Sequence, residues 1–128
     1  MAESMTTTKQ THKSVRRYQY DWVSAAGGTV TQTLDHINGM LVAVQFIPDG
    51  AAAPTNLYDV VITDQSGEDV LQGEGANLLT ATSAWLVPVL QNTIAGVGTA
   101  LVPLDGPLSL AITNAGNTKE GIIILWVG

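Results

Sequence analysis

The sequence predicts an all-β protein: a β-sandwich, of either the jelly-roll or the immunoglobulin-like kind, preceded by a flexible N-terminal arm. Three observations carry this expectation. Short segments alternate between apolar and polar residues with period two, and clusters of Gly, Pro, Asn and Asp separate them. Charged residues make up 12% of the chain, against a usual level of about 25%. Much of the surface therefore falls to Thr, Ser, Asn, Gln and small residues. At 128 residues the chain suits one domain, placed at residues 14–128 behind an arm at residues 1–13.

Along the chain, "MAESMTTTKQTHK" carries Met1 and Met5 as its only large apolar side chains. It buries too little to offset the entropy of ordering, so residues 1–13 are expected to be a flexible polar and basic arm. In "SVRRYQYDWV" the alternation places Arg16, Tyr18, Tyr20 and Trp22 on one face and Val15, Arg17, Gln19 and Asp21 on the other, a first strand with an aromatic face. After a Gly-broken turn and a short Thr-rich strand comes "NGMLVAVQFIPDG". It puts Met40, Val42, Val44 and Phe46 on one face and Leu41, Ala43, Gln45 and Ile47 on the other. Both faces are largely apolar, which predicts a central strand closed by Pro48-Asp49-Gly50.

The stretch from Leu57 predicts a hairpin. Tyr58, Val60 and Ile62 point one way, Asp64-Gln65-Ser66-Gly67 turns the chain, and Glu68 to Gln72 returns it. Residues 76–85 read either as a short helix or as an extended loop, with Thr80, Thr82 and Ser83 weakening the helix. "GPLSLAIT" alternates strictly, with Leu108, Leu110 and Ile112 inward. "GIIILWVG" is apolar throughout, so it needs cover on both faces, in the middle of a sheet or against a partner.

Composition excludes several kinds of chemistry. With no cysteine there is no disulfide framework, zinc-thiolate cluster or cysteine nucleophile. The N-terminus lacks the apolar core of a signal peptide, and no apolar run approaches the roughly 20 residues of a membrane span. A soluble protein made in the cytoplasm, without a membrane partner, is the expectation. Charge divides sharply along the chain. Residues 1–17 hold Lys9, Lys13, Arg16 and Arg17 against Glu3, a net +3; residues 18–128 hold Lys119 against ten acidic residues, a net −9, and together these make the −6 of the whole. A body at that charge repels nucleic acid.

No motif asks for an enzyme, a metal or a cofactor. His12 and His36 are each isolated, and Asp35 beside His36 is a common neighbour pair at a turn. "DQSGED" lacks the alternate oxygen ligands and flanking helices of a helical calcium loop, so Asp64, Glu68 and Asp69 read as turn carboxylates. "GEGAN" has a phosphate loop's glycines without its lysine. Tyr18, Tyr20 and Trp22 at period two could form a stacking platform for single-stranded nucleic acid or sugar; the charge of the body favours core or interface instead. Trp85 and Trp126 read as core or subunit contacts.

The lead-in "RRYQYDWVS", the stretch "VQFIPDGAAAPTNLYDVVITDQSGEDVLQGEGAN" and the late "VPLDGPLSLAITNAGNTKEGIIILWV" together resemble a group of small bacteriophage virion proteins, of the kind encoded among head and head-to-tail genes. The resemblance covers most of residues 14–128 and is most distinctive from Phe46 to Asn77. It supplies no catalytic residues. It implies a structural role on the particle, as a capsid decoration (cement) protein or a neck or tail component. It further implies the major capsid protein or other virion proteins as partners, a homo-oligomer (trimer or dimer), and a place on the virion exterior. On this reading the arm docks on a neighbour. The candidate contact residues are Lys9, Lys13, Arg16, Arg17, Tyr18, Tyr20 and Trp22.

Overall fold

The computed structural model describes residues 2–12, 14–92 and 97–128. These form an all-β, sandwich-like body of two antiparallel sheets. The strands are β1 (Ser4–His12), β2 (Val15–Val23), β3 (Val30–His36), β4 (Gly39–Pro48), β5 (Asp59–Thr63), β6 (Ala84–Leu86), β7 (Val89–Asn92), β8 (Val97–Leu104), β9 (Pro107–Thr113) and β10 (Glu120–Val127). The larger sheet runs β1-β2-β10-β4-β8-β7, with β6 also on β4, and the smaller runs β3-β9-β5.

The core lies between the sheets and is built by alternation. From the larger sheet come Tyr20, Trp22, Phe46, Ile123 and Leu125; from the smaller come Val30, Tyr58, Val60, Ile62, Leu110 and Ile112, all 2% exposed or less. The inward set Leu108, Leu110 and Ile112 and the set Tyr58, Val60 and Ile62 stand as their periodicity predicts. The apolar terminal strand β10 lies in the middle of the larger sheet, between β2 and β4. Its backbone groups are paired on both sides, and Ile123 and Ile124 on opposite faces are both buried.

Three expectations are corrected, and of the two readings of residues 76–85 the extended one holds. Residues 4–12 are not a free arm: β1 pairs with β2 over its full length, from Ser4 opposite Val23 to His12 opposite Val15. Thr is β-branched and favours the pleated backbone, and Met5 packs against the core, which the count of apolar residues undervalued. Glu3 adds a tie to the other sheet, its carboxylate accepting from the Thr31 backbone N–H at 2.8 Å and from Gln32 Nε2 at 2.7 Å.

In β4 the predicted faces hold for Val44 and Phe46 but fail at Met40 and Val42, which are exposed while Leu41 is buried. The cause is a β-bulge. Trp126 sits opposite Ala43 and Val127 opposite Leu41, so Val42 is the extra residue and the pleat changes phase across it.

The turn at Asp64–Gly67 forms, but the return is a single bridge, Thr63 to Asp69, and the full-length partner of β5 is β9. Asp64 and Asp69 cap this turn region: Asp64 Oδ1 accepts from the Ser66 and Glu68 N–H groups, and the Asp69 carboxylate from those of Leu71 and Gly73. Residues 76–85 hold no helix. They run in bends to β6, where Ala84, Trp85 and Leu86 pair with Phe46, Gln45 and Val44.

Candidate functional site: a cation and two tryptophans on the outer sheet face

Because residues directly opposite each other in a sheet share a face, the register of the larger sheet sorts its aromatics. Tyr18, Tyr20 and Trp22 of β2 lie opposite Leu125, Ile123 and Gly121 of β10 and point into the sandwich. Gly121 makes room for the indole: a Cβ there would fall 2.6 Å from Trp22 Cζ2. On its other side Trp22 meets Tyr58, ring centroids 6.0 Å apart. Burial raises the phenol pKa of Tyr58 to about 12. Burial, aided by the negative charge of Asp35, also raises that of Tyr20, whose hydroxyl donates to Asp35 Oδ2 at 3.3 Å. These three aromatics are core. Tyr20 and Trp22, at 0% and 1% exposure, are corrected as partner contacts, since nothing outside the fold can reach them.

Two of the cations gathered at the start of the chain, Lys9 and Arg16, turn back onto their own fold. Lys9 Nζ lies 3.3 Å from Asp35 Oδ1, so Asp35 joins the edge strand to Tyr20 of the core. Arg16 donates to the Asn38 carbonyl and, at 3.3 Å, to the Tyr18 hydroxyl, binding β2 to the β3–β4 connection. Asn38 in turn accepts from the Gly106 N–H through its side chain, at 3.0 Å. Arg16 is therefore a structural tie. Lys13 lies outside the described residues.

Arg17 points the opposite way, to the outer face, where it meets residues that sequence reasoning did not connect. Its guanidinium carbon sits 5.5 Å from the ring centroid of Trp126, within cation–π range. Trp126 stacks with Trp85, centroids 6.1 Å apart and planes 20° from parallel, and its Nε1 donates to Gln45 Oε1 at 3.0 Å. The row Arg17–Trp126–Trp85 thus crosses β2, β10, β4 and β6. Trp85, at its end, is 62% exposed. Beside Trp126 and Arg17 lies a cleft of about 810 Å³, also lined by Gln10, Thr11 and Val15.

The row brings together an exposed apolar plane, a delocalised cation and amide groups. Such a surface can stack a flat or CH-rich partner and hydrogen-bond its rim. Forty-one positions separate Trp85 from Trp126, and the pairing of β6 and β10 with β4 joins them.

No family model matches the chain, and no curated protein matches it. Among solved structures the chain is similar to one described as the crystal structure of FLHE, at 13% identity and a TM-score of 0.41. That similarity covers 88% of this chain and 96% of the other. A likeness at that level carries no argument about function.

Proposed function

We propose that the protein is a non-enzymatic structural component of a phage particle: a capsid decoration (cement) protein that binds the major capsid protein on the virion exterior and stabilises the shell as a homo-oligomer. The resemblance in sequence suggests the particle. The observation that carries the reading is the apolar surface on the outer side of the larger sheet. Trp85 is 62% exposed, and Met40 and Val42 on the adjoining β4 are also exposed. Large apolar side chains gathered on one face of a sparsely charged body are what a protein-binding surface needs. Attachment in this reading uses that folded face, with Trp85 as its aromatic anchor. It does not use a loose arm, because residues 4–12 are committed to β2.

Cryo-electron microscopy of the particle tests the proposal. Ordered copies distributed over the capsid exterior, with Trp85 at the contact, are expected; a shell without such copies refutes it. The same images separate the nearest alternative, a neck or tail ring component, which would occupy one ring in place of the whole shell.

A second reading, a carbohydrate-binding sandwich module, is favoured by the cleft beside Trp126, where an indole adjoins Gln10, Thr11 and Arg17. Glycan-array binding that Trp126→Ala abolishes without unfolding the protein would establish it. An array without hits would remove it.

A further inference from the structure

The edges of the two sheets are treated unequally. The outer edge of β5 is covered by the segment after it: the Val60 N–H donates to the Gly75 carbonyl at 2.7 Å, and the Val70 N–H to that of Ile62 at 2.8 Å. The edge of β3 is capped at Thr31 by the Glu3 carboxylate. β6 is three residues long, and short edge strands offer little to a newcomer. β7 adjoins residues outside the described set.

The outer edge of β1 differs from all of these. It is nine residues long, it contains no proline or glycine, and among the described residues no backbone or side-chain hydrogen bond reaches its outer side. Thr7 and Lys9 point toward the inner face yet are exposed, so the smaller sheet leaves this rim open. The one charge on the strand, Lys9, is drawn inward to Asp35.

We propose that the outer edge of β1 is a docking site for β1 of a second copy of this chain, paired antiparallel about a two-fold axis at Thr8. The sequence of the strand selects the occupant and the register. An antiparallel pairing centred on Thr8 is the arrangement that engages all of Ser4–His12 in both copies. It sets Thr8 against Thr8, Thr6 against Gln10, Thr7 against Lys9 and Met5 against Thr11, with no like charges opposed. Sliding the centre one residue to Lys9 opposes two ammonium groups, which is unfavourable. β-Branched Thr–Thr pairs favour adjacent strands, and the axis, normal to the sheet, leaves both smaller sheets on the same side. The larger sheets of the two copies become one continuous sheet, and the open edge disappears. The pairing rests on the homo-oligomer part of the proposed function, and it names which surface makes the oligomer and which number of copies that surface joins.

Sedimentation equilibrium on the purified full chain, up to millimolar concentration, tests this without the particle. The wild type is expected to form a dimer. Thr8 is exposed on the outer face, so Thr8→Lys and Thr8→Glu should keep the wild-type circular dichroism and, at concentrations where the chain is monomeric, the wild-type melting temperature. Each alone should weaken the dimer about five- to tenfold by opposing like charges across the axis. An equimolar mixture of the two should restore association as a heterodimer. Thr6→Lys combined with Gln10→Glu, which places opposite charges across the same register, should form a dimer at least as tight as the wild type. A wild type that stays monomeric or forms a trimer overturns the proposal. Single-charge variants that dimerise like the wild type, or a mixture that stays monomeric, overturn it equally. A dimer seen in solution with no copies on the capsid would instead leave the pairing standing and refute the virion role.

Discussion

The two faces of β2 and β10 carry the same kinds of residue to opposite ends. On the inner face Tyr18, Tyr20 and Trp22 are sealed against Tyr58 and the smaller sheet. On the outer face Arg17, Trp126 and Trp85 form a row that, among the described residues, has no second sheet above it, ending in an indole 62% exposed. Alternation along a strand assigns a side chain to a face, but only the placement of the smaller sheet decides which face is covered. Aromatic content by itself therefore does not mark a binding platform. In this protein the obvious period-two run is core, and the surface platform is assembled from two tryptophans distant in sequence.

The contrast can be broken most forcefully at Trp22. Trp22→Ala removes a buried indole and should cost about 3–5 kcal/mol, read as a loss in chemical-denaturation stability. Trp85→Ala, at the exposed end of the outer row, should cost about 1 kcal/mol or less. Comparable losses at the two sites would abolish the distinction between the faces.

Gly121→Ala tests the fit of the inner face from the opposite strand. The new methyl would fall 2.6 Å from Trp22 Cζ2, and overpacking of this kind costs about 1–3 kcal/mol. Combined with Trp22→Phe, which shortens the ring, the same substitution should cost less than the sum of the two changes, a coupling that a double-mutant cycle measures.

Alkaline titration sharpens the comparison without a large change in packing. Tyr58 ionises at about 12 in the fold and near 10 when unfolded, and Tyr20 is shifted in the same direction. Below pH 10 both states hold the phenol protons and the full stability is present. As pH rises from 10 toward 12 the unfolded chain releases them first, so stability falls. Tyr58→Phe should flatten that alkaline limb, whereas Trp85→Ala should leave its slope unchanged. The smallest effect is expected at Arg17→Ala. Losing the guanidinium over Trp126 should cost about 0.5–1 kcal/mol and alter tryptophan fluorescence, with the core undisturbed.

Much of the body was legible because it follows one rule. Leu108, Leu110 and Ile112 alternate without interruption, Tyr58, Val60 and Ile62 do the same, and "GIIILWVG" is too apolar to lie at an edge. The rule fails where the backbone departs from regular pleat or where cover comes from afar. Val42 bulges, so Met40 and Val42 lost the phase they share in sequence with Val44. β1 has one partly buried apolar anchor, Met5, and its order comes from backbone pairing with β2, which hydrophobic periodicity does not register. Arg17, a candidate contact residue in the sequence, lies in the outer row. Its neighbours Trp126 and Trp85 came together through strand pairings that leave no local mark.

Occupancy of the particle by the Trp85→Ala protein is the decisive test of the proposal that the outer face of the larger sheet is the attachment surface. Purified variant, with its melting temperature matched to the wild type, would be added to particles lacking the protein, and bound copies counted by cryo-electron microscopy. A strong loss of bound copies is predicted. Wild-type occupancy by a folded Trp85→Ala protein would contradict the claim.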